Sequence, residues 1–246
     1  MPKFFVHDNQ IENKMIYIKG NDVNHIKNVL RAKINDKLTI CNIEKEKNYL
    51  CEIENLNNMQ ISCKIIEEYV DNAESNTKVT IFQGLPKSDK MELIIQKSVE
   101  LGVYDITPVQ MARCVVKLKN DKNKIDRWNT ISQVAAKQCG RSIIPKINDL
   151  IEIKDICKMV ENYDIVIVAY EKEEKNSLKE TLNKLLNTNL KIAIVIGPEG
   201  GFEEKEIQEL LDNGCKIVTL GKRILRTETV ALNMLSIIMY EMEGKT

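Results

Sequence analysis

Two short loops near the C-terminal end of the chain combine glycines with charged side chains in a way that could hold a ligand. The first, 197–201, reads Gly-Pro-Glu-Gly-Gly, and its glycines allow the backbone to approach a ligand closely. The second, 220–229, places Arg223 and Arg226 beside apolar Ile224 and Leu225, a mixture that an exposed connector does not need. Only six of the 36 basic residues are arginines, so each arginine suggests a need for a planar, permanently charged group.

The elements around these loops predict that both emerge at one edge of a parallel sheet. The apolar run 192–196 has the length and β-branched content of a buried strand, and 216–220 reads as a second strand. Helices are expected over 203–213, where acidic residues load the first turn, and over 228–243. Ligands of open parallel sheets bind beyond the carboxyl ends of the strands. We therefore interpret the two loops as parts of a binding site and not merely as tight connections between elements.

Segments 196–202 and 220–229 resemble the paired signatures of the 16S ribosomal RNA uridine-N3 methyltransferases, a family of the knotted SPOUT class. Segments 85–87 (Leu-Pro-Lys) and 100–102 (Glu-Leu-Gly) resemble further blocks of that family. The resemblance implies an S-adenosylmethionine cofactor, a trefoil knot, a homodimer, and methylation of N3 of a specific uridine in 16S rRNA of the small ribosomal subunit. The cofactor-binding residues that we assign on this basis are Ile196, Gly197, Gly200, Gly201, Leu220, Gly221, Ile224, Leu225, Arg226 and Thr229.

The implied reaction needs a uracil nitrogen that has lost its proton. N3 is protonated at neutral pH, so either a side-chain base removes the proton or a fixed cation stabilises the uracil anion. We assign the cation to Arg226, because it lies in the second loop and cannot lose its charge. Glu199 and Glu228 are the nearby candidate carboxylates, and each could instead cap a turn or pair with an arginine. The sequence leaves the base undecided.

The N-terminal part of the chain reads as a small β-rich module. Short runs alternate like strands between polar turns at 15–19, 37–42, 49–54 and 60–67. A helix fits 24–33, with Asp22 or Asn24 as its cap. The first residues and segment 25–31 resemble the PUA-like β-barrel of the same family, which implies RNA binding by a domain over 1–72.

Beyond a polar stretch at 71–77, strands and helices alternate to the end of the chain. This alternation predicts an α/β domain with a mostly parallel sheet, and the resemblance implies a SPOUT methyltransferase domain over 73–246. The last helix carries an apolar stripe that fits either core packing or the implied homodimer. The stripe consists of Val230, Met234, Ile237, Ile238 and Met242.

Local clusters of cations, rather than the overall charge, carry the prediction of RNA binding. Basic and acidic residues balance at 36 each, so no global field attracts nucleic acid. The densest basic stretch, 113–127, could contact phosphates, although charge runs are more often solvated surface. The predicted RNA-binding residues are Arg113, Lys117, Lys119, Lys124, Arg141 and Arg31.

Composition argues against several other classes of protein. Seven scattered cysteines without a C-x-x-C pair argue against a disulfide framework or metal site and favour a reducing cytoplasm. No apolar run approaches the length of a membrane span. The alternatives left open are ribose 2′-O or guanine N1 methylation and a non-catalytic RNA-binding assembly factor. A Rossmann enzyme is disfavoured because no G-x-G-x-x-G follows the first strand.

Overall fold

The computed structural model describes residues 3–70, 73–118 and 122–243, which form two compact units. The first unit comprises 1–74 and 136–144, and the second comprises 75–135 and 145–246. A short segment from the middle of the chain thus belongs to the N-terminal unit. The sequence predicted domains over 1–72 and 73–246, with no segment of the second assigned to the first.

The first unit is built on a six-stranded mixed sheet. Its strands are β1 (Lys3–Val6), β2 (Ile11–Glu12), β3 (Met15–Lys19), β4 (Lys37–Asn42), β5 (Lys47–Leu56) and β6 (Gln60–Tyr69). Their spatial order is β1-β4-β5-β6-β3-β2; β1 pairs with β4 in parallel, and the other pairs are antiparallel. Alternate apolar side chains such as Ile16, Ile18 and Ile40 fill one core. The four strands predicted here are confirmed.

The helix predicted over 24–33 differs from the observed one in start, end and type. Helix α1 (Asn21–Asn24) follows Gly20, and a π-helical turn (His25–Val29) continues it. No side chain caps α1, so neither Asp22 nor Asn24 has the predicted role. Wide-turn hydrogen bonds, such as Leu30 N–H to the His25 carbonyl (2.9 Å), close this segment.

The second unit is a parallel α/β structure, as the alternation predicted. Its strands are β7 (Lys78–Gly84), β8 (Asp105–Gln110), β9 (Lys146–Ile147), β10 (Ile151–Glu152), β11 (Ile165–Ala169), β12 (Lys191–Ile196) and β13 (Lys216–Val218). Its helices are α2 (Lys90–Glu100), α3 (Lys122–Cys139), α4 (Ile153–Met159), α5 (Leu178–Asn183), α6 (Glu204–Asp212) and α7 (Thr227–Glu243), and the last residues of α3 belong to the first unit. The strand order is β10-β8-β7-β12-β11-β13, with β9 also paired to β8.

Strand β12 positions the site, because it lies in the interior of this sheet between β7 and β11. Residues 192–196 are fully buried, which requires the continuous apolar run that the sequence shows. Strands β7, β12, β11 and β13 all run in the same direction. The segments that follow them therefore emerge at one edge of the sheet. None of the helices in the described ranges is long and apolar enough to span a membrane.

Candidate active site at the carboxyl edge of the parallel sheet

A cavity of about 480 Å³ opens at this edge of the sheet, within the size range of small-molecule sites. Its walls come from segments after four strands: Lys90, 169–171, 196–202 and 219–227, together with Val230. Nine predicted cofactor-binding residues line it: Ile196, Gly197, Gly200, Gly201, Leu220, Gly221, Ile224, Leu225 and Arg226. Thr229 is exposed on α7 and is not among the lining residues, whereas Thr227 is.

Thr227 fastens the glycine-rich loop, 197–201, to the start of α7. Its buried hydroxyl donates to the Gly197 carbonyl (2.7 Å) and accepts from Gln83 Nε2 (2.9 Å). The end of β7, the loop and α7 are thereby joined by two hydrogen bonds. Neither residue was predicted from the sequence. A hydroxyl residue at the start of a helix is a recognisable signal, but its bond partners depend on the fold.

The glycines of this loop accommodate neighbours within the same unit. A Cβ atom at Gly200 would lie 2.9 Å from the Arg113 Cβ, and Arg113 Nη1 donates to the Gly200 carbonyl at 3.0 Å. Gly201 adopts a left-handed φ of 67°, and a Cβ there would lie 2.8 Å from Glu171 Oε1. The space that the glycines leave is thus filled by Arg113 and Glu171. This packing adds a second reason for glycine beside the predicted approach to a ligand.

The start of α6 holds Arg113 in this position. Glu206 is buried, and its carboxylate accepts from the backbone N–H groups of Ala112 (2.9 Å) and Glu203 (2.8 Å). The predicted acidic first turn of the helix after the loop is confirmed. One of its carboxylates therefore connects the helix to the turn that carries Arg113.

The two candidate carboxylates share one lysine. Lys90 Nζ lies 3.0 Å from Glu199 Oε1 and 3.4 Å from Glu228 Oε2, and Lys87 N–H donates to Glu199 at 3.1 Å. Both glutamates are thus paired with a lysine, where the sequence had suggested an arginine as a partner. Burial raises the pKa of Glu199. Hydrogen bonds from backbone N–H groups and Lys90 lower the pKa by more than burial raises it, so the pKa of Glu199 is below its ordinary value. A low pKa makes Glu199 a weak general base.

The basic loop, 221–226, is exposed by contrast. The side chain of Ile224 is 87% exposed, and Lys222, Arg223 and Arg226 are also exposed. None of these three cations has an ion pair or side-chain hydrogen bond within the described part of the chain. Arg226 lines the cavity and keeps its guanidinium donors available there.

The structure corrects the RNA-binding prediction for Arg141. This residue is 5% exposed, and its Nη2 lies 2.6 Å from Glu74 Oε2. The other Glu74 oxygen accepts from the backbone N–H of Ser142 at 2.8 Å. Arg141 is therefore an interior ion-pair residue of the first unit. The burial of Arg141 depends on its partner Glu74, and residue type alone does not reveal it.

The other predicted RNA-binding cations differ in how far they are engaged. Arg31 and Lys117 are exposed, and Arg113 already donates to the glycine-rich loop. Lys124 is half-buried with its Nζ 5.9 Å from the centroid of the Trp128 ring. Lys119 lies outside the described residues. The described part of the chain contains no cluster of three or more His, Cys, Asp or Glu residues that could hold a metal ion.

Comparison with known proteins gives matches over the whole chain. Residues 73–239 match an RNA methyltransferase domain, and residues 18–66 match an RNA methyltransferase PUA domain. The chain is 37% identical to the ribosomal RNA small subunit methyltransferase E of Bacillus subtilis, with 99% of this chain and 98% of that protein aligned. The protein of the same name from Mesomycoplasma hyopneumoniae is 36% identical, over 96% of this chain and 98% of its own length. A crystal structure of a ribosomal RNA small subunit methyltransferase E from Neisseria gonorrhoeae, bound to S-adenosyl methionine, superposes with a TM-score of 0.85, 31% identity and 97% coverage of both chains.

Proposed function

Because the chain belongs to the ribosomal RNA small subunit methyltransferase E family, we propose that it binds S-adenosylmethionine in the cavity at the sheet edge. We propose further that it methylates N3 of a uridine in 16S rRNA of the small ribosomal subunit. One observation carries this proposal: a tightly held glycine-rich loop lines the same cavity as Arg226, which has no ion pair among the described residues. Its volume of about 480 Å³ and the backbone groups of two loops suit a nucleoside-sized cofactor.

Different residues of the cavity have different roles in the proposed reaction. S-adenosylmethionine, when bound, supplies the electrophilic methyl group. Loop 197–201 and residues 220–225 would hold the cofactor with backbone groups, which favours reaction by positioning. Arg226 stabilises the negative charge that develops on the uracil ring as N3 loses its proton to water. The paired carboxylates of Glu199 and Glu228 are poorly suited to remove that proton, and this favours the cationic route.

For the RNA contacts we keep the predicted cations other than Arg141, which is buried in an ion pair. We propose that the PUA domain binds RNA through Arg31, and that Arg113, Lys117, Lys119 and Lys124 contact phosphates. Such contacts supply affinity rather than sequence choice. Because the chain has no net charge, its non-specific attraction to RNA is small, and affinity for a structured ribosomal particle must come from matching shape.

We also propose a homodimer that acts in the cytoplasm, with α7 in the interface. Three residues of its apolar stripe, Met234, Ile238 and Met242, are buried in the core of the unit. Val230 and Ile237 stay half-buried, and on the same helix Tyr240 is 79% exposed. The outer surface of α7 therefore retains apolar area that a second copy could cover.

Methylation of purified 30S subunits tests the proposed activity and its alternatives together. Subunits lacking the modification are incubated with the protein and isotopically labelled S-adenosylmethionine, then digested to nucleosides for mass spectrometry. We expect labelled N3-methyluridine, and far less of it on a short unstructured oligonucleotide. Labelled 2′-O-methylnucleoside or N1-methylguanosine would indicate a different methylation, and RNA binding without transfer would indicate an assembly factor.

A further inference from the structure

We propose that Lys90 is a positioning residue of the cavity, whose ammonium group fastens the glycine-rich loop to the start of α7 by holding Glu199 and Glu228 together. This inference rests on the proposed binding of S-adenosylmethionine in the same cavity. It gives the two glutamates a structural role in place of the catalytic role suggested by the sequence.

The geometry places one cation between two distant segments of the chain. Lys90 is the first residue of α2, Glu199 belongs to the glycine-rich loop, and Glu228 is the second residue of α7. The Lys90 ammonium lies within 3.0 Å of the first glutamate and 3.4 Å of the second. Their side chains are 30%, 27% and 15% exposed, so water screens this cluster less than it screens a surface ion pair.

The charges of the cluster explain why a cation is needed at this position. Glu228 Oε2 is buried and accepts no hydrogen bond from any described residue, so Lys90 is its compensating neighbour. With Lys90 present, the cluster of three carries one net negative charge. Without Lys90, two carboxylates that now face the same ammonium would repel each other across the boundary between the loop and α7.

Separation of these two segments would disturb both walls of the cavity. Glu199 lies between Gly197 and Gly201, and Glu228 adjoins Thr227, whose hydroxyl bonds to the Gly197 carbonyl. Residues that hold the lining residues in place set the geometry of a site, and small displacements are costly. Loss of the Lys90 charge should therefore weaken ligand binding although Lys90 need not touch the ligand.

Calorimetric binding of S-adenosylhomocysteine, the demethylated product, tests the proposal without catalysis. Lys90→Met should weaken binding about tenfold, less than for a fully buried ion pair because the cluster is partly exposed. Lys90→Arg should keep most of the affinity. In the double variant Lys90→Met with Glu228→Gln, the cluster again carries one negative charge, and affinity should recover about fivefold relative to Lys90→Met.

Lys97→Met is the matched control, because Lys97 lies on the same helix and pairs with Glu100 (2.8 Å) outside the cavity lining. Its affinity should equal that of the unmodified protein. If Lys90→Met does not fold, as judged by circular dichroism, Lys90→Gln takes its place in both comparisons. Unchanged affinity in the folded Lys90 variant, or no recovery in the double variant, would overturn the role of Lys90 alone. An unmodified protein that binds no S-adenosylhomocysteine would overturn the proposed function as well.

Discussion

The two loops that line the cavity are built in opposite ways. The glycine-rich loop, 197–201, is held by Thr227, Lys90 and Arg113, each through a hydrogen bond or ion pair from another part of the unit. The basic loop, 221–226, presents exposed side chains, and its cations have no partner among the described residues. A loop fixed in advance binds a ligand with little ordering cost, whereas an unpaired cation is available to a second reactant.

Under the proposed function, this difference assigns cofactor binding to the glycine-rich loop and charge stabilisation to the basic loop. Glu199 and Glu228 are already ion-paired, and a carboxylate that already has a counter-charge is a poor proton acceptor. Arg226 has no counter-charge within the described residues and lies on the cavity wall. A positive charge that is not yet neutralised acts most strongly on an anion that forms during the reaction. We therefore expect mutations in the two loops to affect different measured quantities.

The largest effect is expected from Arg226→Ala, which removes the cation proposed to stabilise the uracil anion. The kcat value should fall by about 10²–10³-fold, as on loss of one electrostatic donor at an oxyanion site, while S-adenosylhomocysteine affinity stays unchanged. Arg226→Lys should recover part of the rate, because an ammonium cannot reproduce the planar guanidinium. Arg223→Ala serves as the control from the same loop. An equal loss of kcat and ligand affinity in Arg226→Ala would show that the residue shapes the loop.

Thr227→Val should affect binding and stability rather than the chemical step. The change removes a hydroxyl but little volume, and it leaves the Gly197 carbonyl and the Gln83 amide without their buried partner. We expect a loss of about 1–3 kcal/mol in the free energy of unfolding and weaker S-adenosylhomocysteine binding. Denaturant titration and calorimetry measure the two quantities.

A second threonine on the same helix provides the comparison. Thr229 is exposed and makes no hydrogen bond through its side chain within the described residues. Thr229→Val should change the free energy of unfolding by less than about 0.5 kcal/mol. Thr227→Ser keeps the hydroxyl and should bind like the unmodified protein. Equal effects of valine at 227 and 229 would contradict the role of the hydrogen bond.

The sequence predicted what depends on local pattern and missed what depends on distant partners. The apolar run 192–196 and the glycines after it are local signals, and they predicted a ligand-binding loop at 197–201, which lines the cavity. The contacts of Gln83 with Thr227 and of Lys90 with Glu199 join residues more than one hundred positions apart, and the bond from Thr227 to Gly197 spans 30 positions. Periodicity carries no information about such contacts. The same limit explains Arg141, whose partner Glu74 is brought to it by the inclusion of 136–144 in the first unit.

The smallest expected effects concern the cations proposed to contact RNA, where the contrast between paired and unpaired groups can be tested again. Lys117 is exposed and has no partner among the described residues, whereas Arg127 Nη2 lies 2.8 Å from Glu92 Oε1. If only unpaired cations contact phosphate, Lys117→Ala should reduce the slope of log K against log salt by about 0.7–0.9. Arg127→Ala should leave that slope nearly unchanged. Filter binding of 16S rRNA fragments between low and moderate salt measures both slopes. Equal slopes for the two variants would show that ion pairing within the chain does not determine which cations contact the RNA.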